Sequence, residues 1–578
     1  MSDSILKNIQ KIWLHIGKKK RLKFMLLIVL AVLSSFAEIL SIGAVFPFLK
    51  ALMEPKLVLE TPLIQPLLKF FEIDSQTQIV FVITVFFCLA LLLALIMKVF
   101  LTWASVRLSF GLGTEISNDI YRRTLYQPYK IHVSRNSSDI INAIWVKVSE
   151  VIFYILMPLL NIVSSSILTF TIVIALLIVT PNVALVAIGG LIIVYVIIIK
   201  LSKGELKKNS IKIARESNNI VKHIQEGLSG IRDVLIDGSQ ETFSSTYKKT
   251  NFILRRAQGN NQIIGSVPNF MLLSLGMILI AILSYTLTLS NGFTEAMPSI
   301  AALALGLLKL LPNTQVLFSS WSNISGAQAS LKDVIQLLEQ PYPENINQKN
   351  TPMPFKKEIT LNNISFRYTK DSPWILNNFN LKILKGSRIG FVGTTGCGKS
   401  TLLDIVMGLL SPSVGNIKVD GQIISTSNSS SWQTNISHVP QSVFLADNTI
   451  ESNIAFGVPK ELIDKVKVKD AAQKAQLSEI IDSFPLKYET RVGERGVQLS
   501  GGQCQRIGIA RALYKESDVI ILDEATSALD SNTEKEVIAS IEALSKDITI
   551  LVIAHRLNTL KFCSQVIELG QGETPNKS

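Results

Sequence analysis

What most constrains this chain is a set of six stretches, near 24–49, 79–104, 152–179, 183–202, 263–289 and 297–322. Each is long and apolar enough to cross roughly 30 Å of hydrocarbon, which takes about 20 helical residues. The first is too long for a signal-peptide core and has no convincing cleavage site, so it reads as a retained span. Only 17% of the 578 residues are charged, against 48% hydrophobic; a soluble chain would carry about a quarter charged. The apolar excess lies before residue 325, and the remainder reads as an ordinary globular domain.

Lysines and arginines orient the spans. Lys18, Lys19, Lys20, Arg21 and Lys23 precede the first. Arg107, Arg122, Arg123, Lys130, Arg135 and Lys147 fall between the second and third, and a long series from Lys200 to Arg256 joins the fourth to the fifth. The other three connections are nearly free of basic residues. The N-terminus and the C-terminal domain are therefore expected in the cytoplasm, with the protein in the cytoplasmic membrane. The same distribution explains the net charge of +13 without nucleic acid, for which no basic and aromatic patch is present. Cys88, Cys397, Cys504 and Cys563 are scattered, with no metal-ligand spacing and no sign of a disulfide framework.

Segments 105–151 and 203–262 are too long for plain loops and carry good helix formers, so the spans are expected to continue into the cytoplasm. Each extension should bend at a turn-rich point, 126–139 and 227–239. Three charges fall inside spans: Glu38, Lys98 and Lys309. Intramembrane ions are costly, so Glu38 and Lys309 are candidates for substrate contact or for a structural pair, while Lys98 reads as snorkelling. In the first outer connection Leu63, Ile64, Leu67, Leu68 and Phe71 recur at helical spacing, as in a helix on the membrane surface or a cap over the spans.

From about 357 the pattern changes to short β-branched runs alternating with helices, an α/β domain. FVGTTGCGKST (391–401) fits G-x-x-x-x-G-K-[ST] between a strand and a helix, the context a phosphate loop needs. Backbone amides of Gly393, Thr394, Thr395, Gly396, Cys397 and Gly398 can face phosphate, and the start of the helix KSTLLDIVMG, with Thr401 in its first turn, adds partial positive charge. Lys399 is suited to the β- and γ-phosphates, and Ser400 to Mg²⁺. VIILDE (519–524) ends a strand on two acids, Asp523 for the metal shell and Glu524 to activate water.

LSGGQCQR (499–506), twenty-odd residues before those acids, resembles the signature of the ATP-binding-cassette family, and other motifs follow along the whole domain. On that resemblance, Tyr368 stacks on adenine, and Gln441 in HVPQSVFL lies near metal and water. Ser500, Gly501, Gly502 and Gln503 close over a γ-phosphate, Asp530 belongs to the D-loop, and His555 is the switch histidine. GERG (493–496) matches the loop that exporters set against their cytoplasmic bends. The architecture implied is an α-helical polytopic membrane domain over 1–325, a linker over 326–356 and an α/β P-loop nucleotide-binding domain over 357–578. The cofactors implied are ATP and Mg²⁺.

In this family a signature serves the phosphate loop of a second cassette. One loop, one signature and six spans imply half of a machine, and intact motifs favour a homodimer with two working sites. SSFAEILSIGAVFPFLKAL (34–52), IRDVLIDGSQETF (231–243) and LGLLKLLPNTQ (305–315) are similar to bacterial lipid-linked oligosaccharide flippases. That likeness implies ATP-driven flipping of a lipid-linked glycan. A multidrug or lipid exporter is the alternative, and an ATP-gated channel or regulatory subunit fits less well with intact Glu524 and His555.

Overall fold

The computed structural model describes residues 5–53, 76–179, 181–291, 293–341, 351–526, 528–554, 560–570 and 576–577. The first outer connection, with Leu63, Ile64, Leu67, Leu68 and Phe71, lies outside the described residues, as does His555. The chain divides into two compact units, Met1–Gln127 with Ser134–Tyr342, and Pro128–Val133 with Pro343–Ser578.

The first unit is helical. It comprises α1 (Ile5–His15), α2 (Lys18–Met53), α3 (Gln76–Leu125), α4 (Tyr129–Ser134), a helical run α5 over 137–179, α6 (Pro181–Ser229), α7 (Ile231–Ile236), α8 (Gln240–Asn291), α9 (Phe293–Gly326) and α10 (Gln328–Leu338); most of α4 is grouped with the second unit. Over the described residues, α2, α3, α5 and α8 contain segments apolar and long enough to cross a membrane. At about 1.5 Å per residue, the 50 residues of α3 and 52 of α8 reach far beyond a bilayer's hydrocarbon. The short helices α4 and α7 fall at the two bends expected from the sequence.

Inside α5, Ala143–Lys147 and Ile152–Leu156 are π-helical. Ile152, in the second of these segments, packs against Gly113 of α3, where a Cβ would force the Ile152 side chain to move. No sequence signal announced these two segments.

The stretch expected as a linker, 326–356, contains α10, whose Leu331, Val334, Ile335 and Leu338 are buried in the core of the first unit. Polar contacts hold α10 and its C-terminal end to four other elements. Lys147 Nζ meets Asp333 Oδ2 at 2.5 Å, and Ser330 Oγ donates to Glu150 Oε2 at 2.5 Å. Ser210 Oγ accepts from the Ala329 amide at 2.9 Å, and Lys11 pairs with Glu339 at 2.9 Å. Arg123 donates to the Gln340 carbonyl at 2.9 Å. Composition alone could not separate this amphipathic helix from a tether.

The second unit contains β1 (Glu358–Phe366), β2 (Leu376–Leu384), β3 (Arg388–Val392), α11 (Lys399–Val406), β4 (Val414–Val419), β5 (Gln422–Ile423), α12 (Ser429–Gln433) and β6 (Ile436–Val439). There follow α13 (Ile450–Ile454), α14 (Lys465–Lys474), α15 (Ser478–Ser483), α16 (Gly501–Tyr514), β7 (Val519–Asp523), α17 (Ser531–Glu542), β8 (Thr549–Ile553), β9 (Gln565–Glu568) and β10 (Asn576–Lys577). A four-stranded antiparallel sheet runs β2-β1-β4-β5. A six-stranded sheet runs β10-β9-β3-β8-β7-β6, parallel except for β10. Parallel sheets are covered on both faces, and β8 (TILVI) is buried at every position, which is why it reads as an unbroken apolar run.

This strand order positions the site. Because β3, β8, β7 and β6 are adjacent and parallel, their carboxyl ends share one edge. That edge is where open α/β sheets bind ligands. The phosphate loop follows β3, the two acids end β7, and Gln441 follows β6. One strand separates β3 from β7, a spacing of roughly 10 Å.

Candidate nucleotide site

Gly393 leaves β3 with φ 147°, and a Cβ there would stand 2.5 Å from the Leu569 carbonyl oxygen. Gly398 has φ 99° and caps α11, and a Cβ there would strike Ile375. The loop between them is thus a backbone surface, with Thr394, Thr395 and Gly396 exposed at its tip and Cys397 buried beneath it. Cys397 packs under the loop as a filler. Lys399 is largely buried, and its Nζ donates to the carbonyls of Gly393 at 2.8 Å and Thr394 at 3.0 Å. The ammonium therefore sits inside the curve of the loop. Thr401 is buried in the first turn of α11, while Ser400 is exposed beside it.

Ser400 lies beside the Asp523 carboxylate. Burial pushes the Asp523 carboxyl up, a rise that the neighbouring Glu524 reinforces and the contacts with Ser400 and Lys399 oppose. A second acid joins it. Burial, and then the Asp523 charge, push Asp404 up to about 6. Sequence reasoning passed over Asp404. An acid on a helix ordinarily faces solvent, and the only signal was its place within two turns of Lys399.

Glu524 turns out of β7 at φ 49°, a left-handed backbone that costs a non-glycine residue roughly 1–3 kcal/mol. Its amide donates to the Ile553 carbonyl of β8 at 3.0 Å. The turn brings its carboxylate to Gln441, whose Nε2 donates to Oε2 at 2.6 Å. The edge therefore gathers Lys399, Ser400, Asp404, Asp523, Glu524 and Gln441.

Other expected residues lie elsewhere in the unit. Tyr368, just past β1, is half-buried and packs edge-on against Phe366, with ring centroids 5.1 Å apart. Ser500 caps α16: its Oγ accepts from the Gln503 amide at 3.2 Å, and Gln503 Oε1 accepts from the Ser500 amide at 2.8 Å. This capping box leaves Ser500 and Gly501 exposed at a helix N-terminus. Among the described residues, a Cβ on Gly501 or Gly502 would find only Ala528 and Leu529 within 4 Å, and no residue of 393–401. Asp530 caps α17, accepting from the amides of Asn532 and Thr533 and from Thr533 Oγ1, and these bonds hold its carboxyl below the usual range. In GERG, Gly493 and Gly496 adopt φ 73° and 74°, the left-handed region that favours glycine, and Arg495 adopts φ 52°.

The first unit holds the other two candidates. Lys309 Nζ meets Glu38 Oε1 at 2.7 Å, joining α9 to α2. Lys98 projects from α3 as an exposed side chain.

A model described as the ABC transporter transmembrane region matches residues 23–303, and one described as the ABC transporter matches residues 376–527. Over 471 residues the chain is 27% identical to an ATP-dependent lipid A-core flippase of Cupriavidus metallidurans, covering 81% of this chain and 78% of that protein. It is 29% identical over 517 residues to the putative multidrug export ATP-binding/permease protein YgaD of Bacillus subtilis, covering 86% of each. It is also 32% identical over 353 residues to the heterocyst differentiation ATP-binding protein HepA of Nostoc sp., covering 60% of this chain and 56% of that one. Among solved structures, that of a bacterial Atm1-family ABC exporter with ATP bound shares the fold. Its TM-score is 0.79 at 21% identity, over 97% of this chain and 94% of the other.

The chain belongs to the ABC transporter family. It is a membrane protein in which an ATPase domain drives transport, so the helical membrane domain and α/β nucleotide domain expected from the sequence are both present.

Proposed function

We propose that the chain works as a homodimer in the cytoplasmic membrane, flipping or exporting an amphipathic, lipid-linked glycan with the nucleotide domain in the cytoplasm. The observation that carries the substrate reading is the ion pair between Glu38 and Lys309, a charged interior in a unit whose α2 and α3 expose many large apolar side chains. Such a carrier can leave an acyl or polyprenyl tail in lipid while a charged headgroup passes inside. The names of the flippase relatives point the same way. Multidrug export is the second reading, suggested by the Bacillus subtilis relative.

In this reading Tyr368 stacks on adenine and the amides of 393–398 cradle the phosphates with Lys399. Glu524 takes the proton of the attacking water, and Gln441 holds that carboxylate in place. The exposed signature, Ser500 to Gln503, binds the γ-phosphate on the partner subunit, Asp530 shapes the adjoining loop, and His555 completes the site. The metal donors fit Mg²⁺: Ser400 and Asp523 offer hard oxygens, Gln441 adds an amide, and the Asp523–Asp404 repulsion is of the kind a divalent cation relieves. Among the described residues no group of three His, Cys, Asp or Glu could hold a metal by itself, so phosphate and water would complete the shell. When bound, Mg²⁺ would neutralise charge on the phosphates.

Closure of two cassettes on ATP shifts the spans between inward and outward states through differential binding. The test is reconstitution in liposomes. ATP-dependent transfer of a polyprenyl-pyrophosphate glycan between leaflets supports the flippase reading, and ATPase stimulation by neutral drugs alone supports the other.

A further inference from the structure

Glu38 and Lys309 lie 271 residues apart, yet their charges meet within the spans. The pair is lopsided: the Glu38 side chain is 7% exposed, that of Lys309 45%. Glu38 belongs to a polar stripe on α2, since Ser34, Ser35 and Ser41 lie three or four residues from it and are buried with it. Ser35 and Ser41 spend their hydroxyls on the helix's own carbonyls, Ala31 and Glu38, leaving the carboxylate to face Lys309. On α9, Asn313 donates to the Lys309 carbonyl at 2.7 Å and fixes the backbone there.

The two helices otherwise keep different company. α2 packs chiefly on α3 and on the 157–179 part of α5, and α9 packs on α8 and that same part of α5. Among the described residues they meet each other only over a short stretch, so the ion pair bridges a seam in the bundle. An ammonium in a membrane interior needs an anion. Losing its partner leaves an uncompensated charge, whereas trading one anion for another keeps the site neutral.

We propose that Glu38 is a stand-in anion: a phosphate or pyrophosphate group on an amphipathic lipid displaces it from Lys309, and that exchange frees the α2–α9 seam. Lys309 is the binding residue, reached from its exposed side. Glu38 is a specificity residue, because a neutral amphiphile has nothing to trade for it. The inference rests on the flippase reading for its substrate but makes a separate demand on these two residues.

The full-length transporter in phosphatidylcholine vesicles tests it, with ATPase stimulation measured against four probes: geranylgeranyl pyrophosphate, diphosphoryl lipid A, geranylgeraniol and inorganic pyrophosphate. The wild type should respond to the two anionic lipids but not to the alcohol or the free ion. Glu38→Gln removes the competitor and should lower the half-stimulating concentration about tenfold. Lys309→Met should lose the response, and Lys309→Arg should keep it, which separates charge loss from misfolding. The swap Glu38→Lys with Lys309→Glu rebuilds the pair and should still fail to respond. An unshifted or raised half-stimulating concentration in Glu38→Gln, or a swap that recovers the wild-type response, would make the pair purely structural and overturn the exchange. A wild type that answers to diphosphoryl lipid A but not to geranylgeranyl pyrophosphate, with the Glu38→Gln shift intact, removes the polyprenyl-linked substrate and leaves the exchange standing. No response to either lipid removes both.

Discussion

Gln441 donates from Nε2 to the Oε2 of Glu524 at 2.6 Å, although 83 residues separate them. The contact exists because β6 and β7 are parallel neighbours and each ends at the same edge of the sheet. It fixes the Glu524 carboxylate at that edge. Glu524→Gln keeps the size and a hydrogen-bonding group but cannot accept the proton of the attacking water. ATP binding should hold within about threefold, while turnover falls at least about 100-fold. Parallel binding and hydrolysis assays decide it, and near-wild-type hydrolysis would remove Glu524 from the role of base.

The signature's exposure sets up a second prediction. Cys397 is 2% exposed, so the native thiol is a poor reporter of the phosphate loop, whereas Thr395 is exposed at the loop's tip. With the exposed Cys88 removed as Cys88→Ser, Thr395→Cys on one tagged chain should cross-link to Ser500→Cys on a second when nucleotide is added. Monomers alone under those conditions would count against a site shared between chains.

Asp404 gives a pH dependence with a definite sign. Its carboxyl is pushed from 3.8 up to about 6 by burial and by Asp523. The folded state therefore holds this proton more tightly than the unfolded chain. Stability from this group is full below about pH 4 and is lost as pH rises through about 6. Asp404→Asn should stabilise the fold at pH 7.5 in EDTA by on the order of 1 kcal/mol after discounting for solvent screening, seen as a higher melting temperature, and the gain should vanish near pH 4. Thermal melts across that range are the measurement. A gain that grows toward acid would reverse the assignment.

Lys147 is 2% exposed, and its ammonium is matched by Asp333 of α10. Asp333→Asn leaves that charge to the nearby Glu150 carboxylate and should cost about 2–3 kcal/mol. Replacing both, as Lys147→Met with Asp333→Leu, should recover most of the loss. Melting of the detergent-solubilised protein reports both, and a double variant no better than the single would show that α10 is held by other contacts.

Which of these features the sequence disclosed follows from how local their chemistry is. The glycines, lysine and hydroxyl of 393–401 stand in one contiguous run, so the loop's place between a strand and a helix was readable as written. The acids ending β7 were readable for the same reason, and the strand order then gathered the motifs. Glu38 and Lys309 each stood out as a charge in an apolar run, but their pairing depends on how the first and last long helices pack. Asp404 carries no local mark to set it apart from an ordinary helix acid, and it is the sheet that sets Asp523 beside it. The π-helical turns of α5 and the docking of α10 arise from packing against distant helices, and no local pattern encodes them.

Because Glu38 and Lys309 cancel, this point in the membrane interior contributes a dipole rather than a net charge. A bare charge moved across the bilayer would be worth about 2.3 kcal/mol per 100 mV. At this position, then, the voltage across the cell's envelope has almost nothing to pull on, and the energised state of the cell does not by itself bias the empty protein here.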